Sequence, residues 1–131
     1  MANFDYFKSP TDDVIVQEGT FAYSFIASGT ISGSALVKPA GPMQVVKAGD
    51  GLDNAIGVAA YFVTKGETVA VYGPGNIVRG CLSSGATVGD DLFVGTNGAF
   101  NNGKTYGGLF PCVGIALEPK AVNSIGLILL K

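Results

Sequence analysis

The sequence predicts an all-β protein of short antiparallel strands. Three observations carry this. Apolar residues alternate or come in short runs, and no stretch shows the 3.6-residue period of an amphipathic helix. Gly, Pro, Asn or Asp breaks the runs every several residues, which is the rhythm of many short strands. Turn dipeptides separate the runs: Asn97-Gly98 and Asn102-Gly103 are both residue types that tolerate positive φ.

The chain up to about Asp13 is polar and aromatic, with Phe4, Tyr6 and Phe7 ahead of Ser9-Pro10, and reads as an extended N-terminal arm. Aromatics on an arm fit a partner surface; they equally fit folding back onto the protein's own core. Residues 14–131 read as one β-rich domain. The strand candidates begin with "DVIVQ". "TFAYSF" follows, with Phe21, Tyr23 and Phe25 on one face and Thr20, Ala22 and Ser24 on the other. Next come "SALVK", "MQVVK" and "AIGVAAYF", then "ETVAVY" with Val69 and Val71 on one face. "NIVRGCL", "DLFVG" and "FPCVGIAL" lead to "SIGLILL", whose two apolar faces predict burial on both sides. Lys65-Gly66 and "GPGN" (73–76) fit turns. "IGVAAYFVTKGETVAVY" from Ile56 echoes "VGIALEPKAVNSIGLILL" from Val113, as two similar β-hairpins would.

Composition narrows the function classes. Hydrophobic residues make up 47% of the 131, enough for a core, while charged residues are only 14%. The ordinary charged share is roughly 25%. A surface this poor in charge points to coverage by other subunits. The net charge is −2 and the eight Lys and Arg are scattered singly. Nucleic-acid binding needs clustered positive charge, so it is not expected. No basic amphipathic stretch fits a lipid surface, and "IGLILL" is too short to span a bilayer. "MANFDYFKSPTDD" lacks the apolar run of a signal peptide. Synthesis in a reducing cytoplasm is therefore expected, with Cys81 and Cys112 as buried free thiols; a disulfide between them stays open.

Candidate chemistry is sparse. The chain has no histidine, which removes Ser–His and Cys–His pairs and the commonest zinc ligand. No Walker loop or dinucleotide fingerprint occurs. Asp50, Asp53, Asp90 and Asp91 lie in Gly-containing segments, but "DGLDN" lacks the spacing of a calcium loop. Adjacent Asp90 and Asp91 diverge if they fall in a strand, and Asp beside Gly favours turns, so a structural turn is expected. Cys81 follows Arg79, the sole arginine, which can lower a thiol pKa; its apolar strand setting favours an inert thiol. Calcium binding by the Asp90–Asp91 pair is the minor alternative to the turn reading, and no metal site is expected.

"IGVAAYFVTKGETVAVYGPGNIVRGCLSSGATVGDDLFVGTNGAFNN" followed by "CVGIALEPKAVNSIGLILL" resembles tailed-bacteriophage capsid cement proteins, also called head-decoration proteins. The likeness lies in the order of segments: a "G-V-A" strand, then "G-E-x-V-A-V", then "G-x-x-x-G-D-x-L-F-V". An Asn-Gly turn, a "V-G-I-A" strand and a closing hydrophobic strand follow, and the whole covers about 48–131. The resemblance implies a small β-barrel or β-tulip-like domain. It implies a homotrimer on threefold and quasi-threefold axes of an icosahedral head, bound to the major capsid protein after the shell expands. It places the protein on the outer surface of the virion, made in the host cytoplasm, as a stabiliser without catalysis or cofactor. Under that reading Phe4, Tyr6 and Phe7 on the arm are capsid-contact candidates. "KPAGPM" is the second, with Lys38, Pro39, Pro42 and Met43 in an exposed loop stiffened by its prolines. The alternatives are another phage structural role (tail, spike or base) and a carbohydrate-binding β-domain; an enzyme ranks last.

Overall fold

The computed structural model describes residues 15–17, 22–102 and 111–131. The described chain is all-β. Its strands are β1 (Ile15–Gln17), β2 (Ala22–Ala27), β3 (Leu36–Gly41), β4 (Gln44–Lys47), β5 (Gly57–Ala59) and β6 (Thr68–Tyr72), then β7 (Ile77–Leu82), β8 (Asp91–Val94), β9 (Phe100–Asn101), β10 (Gly114–Ala116) and β11 (Ser124–Leu130). The expected β-barrel is present twice. β2-β4-β3-β5-β6 closes one ring, and β7-β11-β10-β8-β9 closes another through a β7–β9 pairing. Closure removes the exposed edges that short strands would otherwise present. β1 sits on β7, opposite Ile77 and Val78.

Pairing is not purely antiparallel. β2 runs parallel to β4, and β7 parallel to β9. Two chain reversals separate the members of each pair, so they must point the same way.

The two barrels repeat one topology residue by residue. The pair Ala27↔Val45 recurs as Leu82↔Phe100, each 55 positions later. Val58↔Tyr72 and Ala59↔Val71 recur as Ile115↔Leu129 and Ala116↔Ile128, each 57 positions later. The isolated bridge Ile31↔Val63 recurs as Ala86↔Lys120. Even the turn into the last strand repeats. Gly66 (φ 90°) donates its N–H to the Ala27 carbonyl at 2.8 Å, and Asn123 (φ 59°) donates to Leu82 at 2.9 Å. The echo between the two hairpins is therefore one fragment of a duplication spanning both barrels.

Each barrel has an apolar interior. Val37, Val45, Ala59, Val69 and Val71 fill the first; Leu82, Leu92, Phe100, Ala116 and Ile128 fill the second. The barrels are joined by side chains that leave one and enter the other. Leu36 and Val58 are cross-strand partners on the outer face of the first barrel, since their neighbours Val37 and Ala59 point inward. Both belong to the second barrel's cluster, at 1% and 0% exposure. Beside them the buried Ser34 hydroxyl donates to the Arg79 carbonyl of β7.

Several expectations need adjusting. In β11 only Gly126, Ile128 and Leu130 are fully buried; Ile125, Leu127 and Leu129 are half-buried. A barrel wall has one inner face, so two-sided burial does not follow from two apolar faces. "AIGVAAYF" yields only the three-residue β5. The Asn97-Gly98 turn forms as a 3-10 turn (Thr96–Gly98), with φ 57° and 74° at the dipeptide. Gly103 of the other turn dipeptide, and the arm with Phe4, Tyr6 and Phe7, lie outside the described residues.

Leu36→Ala leaves a cavity at the junction of the barrels and is expected to cost about 2–5 kcal/mol, read from the urea midpoint. Leu52→Ala, at a position 70% exposed, is expected to stay within ~0.5 kcal/mol.

Candidate functional site

The "KPAGPM" segment is a β-hairpin, not the expected loop. Lys38 and Pro39 lie in β3, the chain reverses at Pro42 and Met43, and β4 returns. Pro39 is opposite Val45, with a register shift before Gly41. β5 pairs with β3 only at Leu36 and Val37. Beyond them no described strand flanks β3 on that side, so the missing proline N–H breaks no ladder there. Met43 adopts φ 55°, and its carbonyl accepts the Ile26 N–H at 2.9 Å. The tip is thus stitched to β2.

The four described contact candidates divide. Pro39 and Pro42 are exposed and Met43 is 63% exposed. Ile26, 39% exposed, lies beside Met43 and extends the apolar tip; the sequence reading ended its strand candidate at Phe25, one residue short of it. Lys38 is half-buried and committed elsewhere. Its Nζ is 3.0 Å from Asp53 Oδ1. The candidates Phe4, Tyr6 and Phe7 lie outside the described residues.

Asp53 organises the base of the hairpin. Its Oδ2 accepts the Gly49 N–H at 2.8 Å and the Asp50 N–H at 3.0 Å. These bonds, led by that from Gly49, and the Lys38 ammonium hold its carboxyl below the ordinary range, against a smaller opposing effect of burial. Asp50 in turn accepts the Leu52 N–H at 2.9 Å. The pair forms a braced turn.

Asp90 has a similar role. Its carboxylate accepts the Thr87 N–H and hydroxyl, both at 2.9 Å, while Asp91 begins β8 and is exposed. The two do not converge. Among the described residues no group of three or more His, Cys, Asp or Glu is placed to hold a metal ion. Cys81 and Cys112 form no disulfide. Cys81 is buried as expected, whereas Cys112 is only half-buried; it precedes β10 rather than lying inside it.

One apolar groove, of about 340 Å³, opens at the mouth of the first barrel. It is lined by Tyr23, Phe25, Ile56, Val71, Gly73 and Pro74. Tyr23 is 56% exposed. The sequence placed Tyr23 and Phe25 on one strand face, but not at a barrel mouth.

Asp53→Asn tests the brace. A carboxyl whose folded pKa lies below its unfolded value near 3.8 contributes stability that is complete above that value. The contribution is lost as pH falls through the lower folded pKa. The Asn variant is expected to be less stable at pH 7, by about 1–2 kcal/mol. Urea midpoints from pH 7 to pH 2 should show the two proteins converging in acid.

No protein-family model matches the chain, and no curated protein matches it. Among solved structures, the chain is similar to the N base of the head fiber gp8.5 of bacteriophage phi29. The TM-score is 0.62 at 17% sequence identity, over 85% of this chain and 93% of that one. At that identity the likeness shows the fold: the two chains share an architecture along nearly their whole length.

Proposed function

We propose that this chain is a structural, non-enzymatic protein of a tailed-phage head, decorating and stabilising the outside of the capsid by binding the major capsid protein. The observation that carries the reading is the likeness to the base of a phage head fiber over 85% of the chain. The segment order over about 48–131, which resembles that of cement proteins, is in keeping with it.

The physical chemistry suits the task. Two fused closed barrels are rigid and offer few free sheet edges. Asp50, Asp53, Glu67 and Asp90 brace turns, which fits a scaffold rather than a reaction centre. Charged residues at 14% favour permanent contacts, which are more apolar than transient ones. A homotrimer on threefold and quasi-threefold axes would let several modest contacts add. The exposed tip formed by Pro39, Pro42, Met43 and Ile26 is the contact surface we assign to the capsid.

A second reading, the base of a fiber on the head, is favoured by the name of the structural neighbour. Under the first reading, adding the chain is expected to raise the temperature at which filled heads rupture; under the second it is expected to bind and leave that temperature unchanged.

Sedimentation with expanded, undecorated heads tests the proposal. Trimers that pellet and saturate at a fixed ratio per capsid subunit are expected; a chain that stays in the supernatant overturns it. Met43→Asp places a charge in the apolar tip and is expected to weaken binding about tenfold, or ~1.4 kcal/mol, with the folded structure unchanged by circular dichroism.

A further inference from the structure

The duplication lets each barrel serve as a control for the other. The outward residues of β7, β10 and β11 share register with those of β2, β5 and β6. Ala22↔Tyr72 recurs as Ile77↔Leu129, and Ser24↔Ala70 as Arg79↔Leu127. Val58 recurs as Ile115. Ala60, which donates its N–H to the Ala70 carbonyl, recurs as Leu117, which donates to Leu127.

In the first barrel, side-chain size on this wall follows its surroundings. Val58 and Tyr72 are large and pack against the second barrel's cluster. Ala22 and Ser24 are exposed, Ala70 is half-buried, and all three are small. The second barrel breaks that division. Ile77, Leu127 and Leu129 fill the same places, with Ile115 beside them, and none of the four is fully buried. Leu117 is 37% exposed. Together they form one stripe, with Ile77, Leu129 and Ile115 in one cross-strand row and Leu127 and Leu117 in the next.

We propose that copies of this chain associate through this wall, packing the stripe of one copy against that of another about a rotation axis. This deepens the homotrimer of the proposed function by naming its surface, and rests on that reading only for the number of copies. Three observations select a second copy as the cover. The stripe has the composition of a domain core, which marks permanent subunit contacts. Charges of opposite sign bound it, Arg79 on β7 and Asp91 on β8, and neither has an ion pair among the described residues. Rotation brings the β7 flank of one copy towards the β8 flank of the next, so each charge meets its opposite. Asp91 also stands at the register of Leu36. Repeating the internal junction would bury that carboxylate, whereas packing wall against wall leaves it at a polar rim.

Sedimentation equilibrium of the isolated chain, without heads, tests the wall apart from capsid binding. The unaltered chain is expected to show the mass of two or more copies at micromolar concentration. Leu127→Glu, at the centre of the stripe, is expected to weaken association by about thirtyfold or more. Leu117→Arg, at an exposed position, is expected to weaken it too, with circular dichroism unchanged. Leu52→Glu, off the wall and 70% exposed, is expected to leave the mass as it was. Single chains at every soluble concentration overturn the proposal and leave the wall to the capsid. So do folded wall variants that associate as the unaltered chain does, and so does equal dissociation by Leu52→Glu. An oligomer that dissociates in the wall variants yet ignores heads supports the wall and overturns the capsid reading alone.

Discussion

Leu36 and Val58 leave the wall of the first barrel and bury themselves in the second, and the rest of the molecule follows from that contact. A ring of five strands, several only two to four residues long, encloses little apolar volume. Domains of that size bury too small a share of their surface to be comfortably stable. Sharing side chains turns two small interiors into one structure, with the second barrel's cluster reaching back to Leu36, Ala48 and Val58. The buried Ser34–Arg79 hydrogen bond adds direction that aliphatic packing lacks, because hydrogen bonds demand geometry whereas burial does not.

The acidic residues illustrate how such a molecule uses polar groups. Asp53 accepts from Gly49 and Asp50, Asp90 from Thr87 and Glu67 from Thr64. Each ties down backbone N–H groups at a reversal, where the ladder cannot supply partners. Their donors hold the Asp53 and Glu67 carboxyls low in pKa. A general acid or base near neutrality needs the opposite tuning.

Duplication also explains the asymmetry. Once two copies of a barrel are joined, one wall and one mouth become internal and their counterparts stay external. Leu36 faces the internal junction and Asp91, at the same register, faces solvent. Val78 sits in the closed mouth and Tyr23 in the open one.

Much was legible in the sequence. Period-2 alternation with frequent breakers determined an all-β chain, because alternation and turn chemistry are local properties of the backbone. Adjacent Asp90 and Asp91 read as turn chemistry, and the β5–β6 and β10–β11 hairpins announced themselves through a shared pattern. Other features were decided only by tertiary structure. Closure into two barrels, the parallel β2–β4 and β7–β9 pairs and the two-residue β9 depend on contacts between residues distant in the chain. The copies share register rather than residue identity, so Ala27 and Leu82, or Val45 and Phe100, occupy one place without resembling each other. "KPAGPM" looked like a loop because prolines interrupt ladders in general; the strand survives because one flank of β3 has no described neighbour at Pro39. Which of two apolar faces is buried, and which of two equivalent mouths is covered, are likewise set by what packs against them, and no local pattern records that.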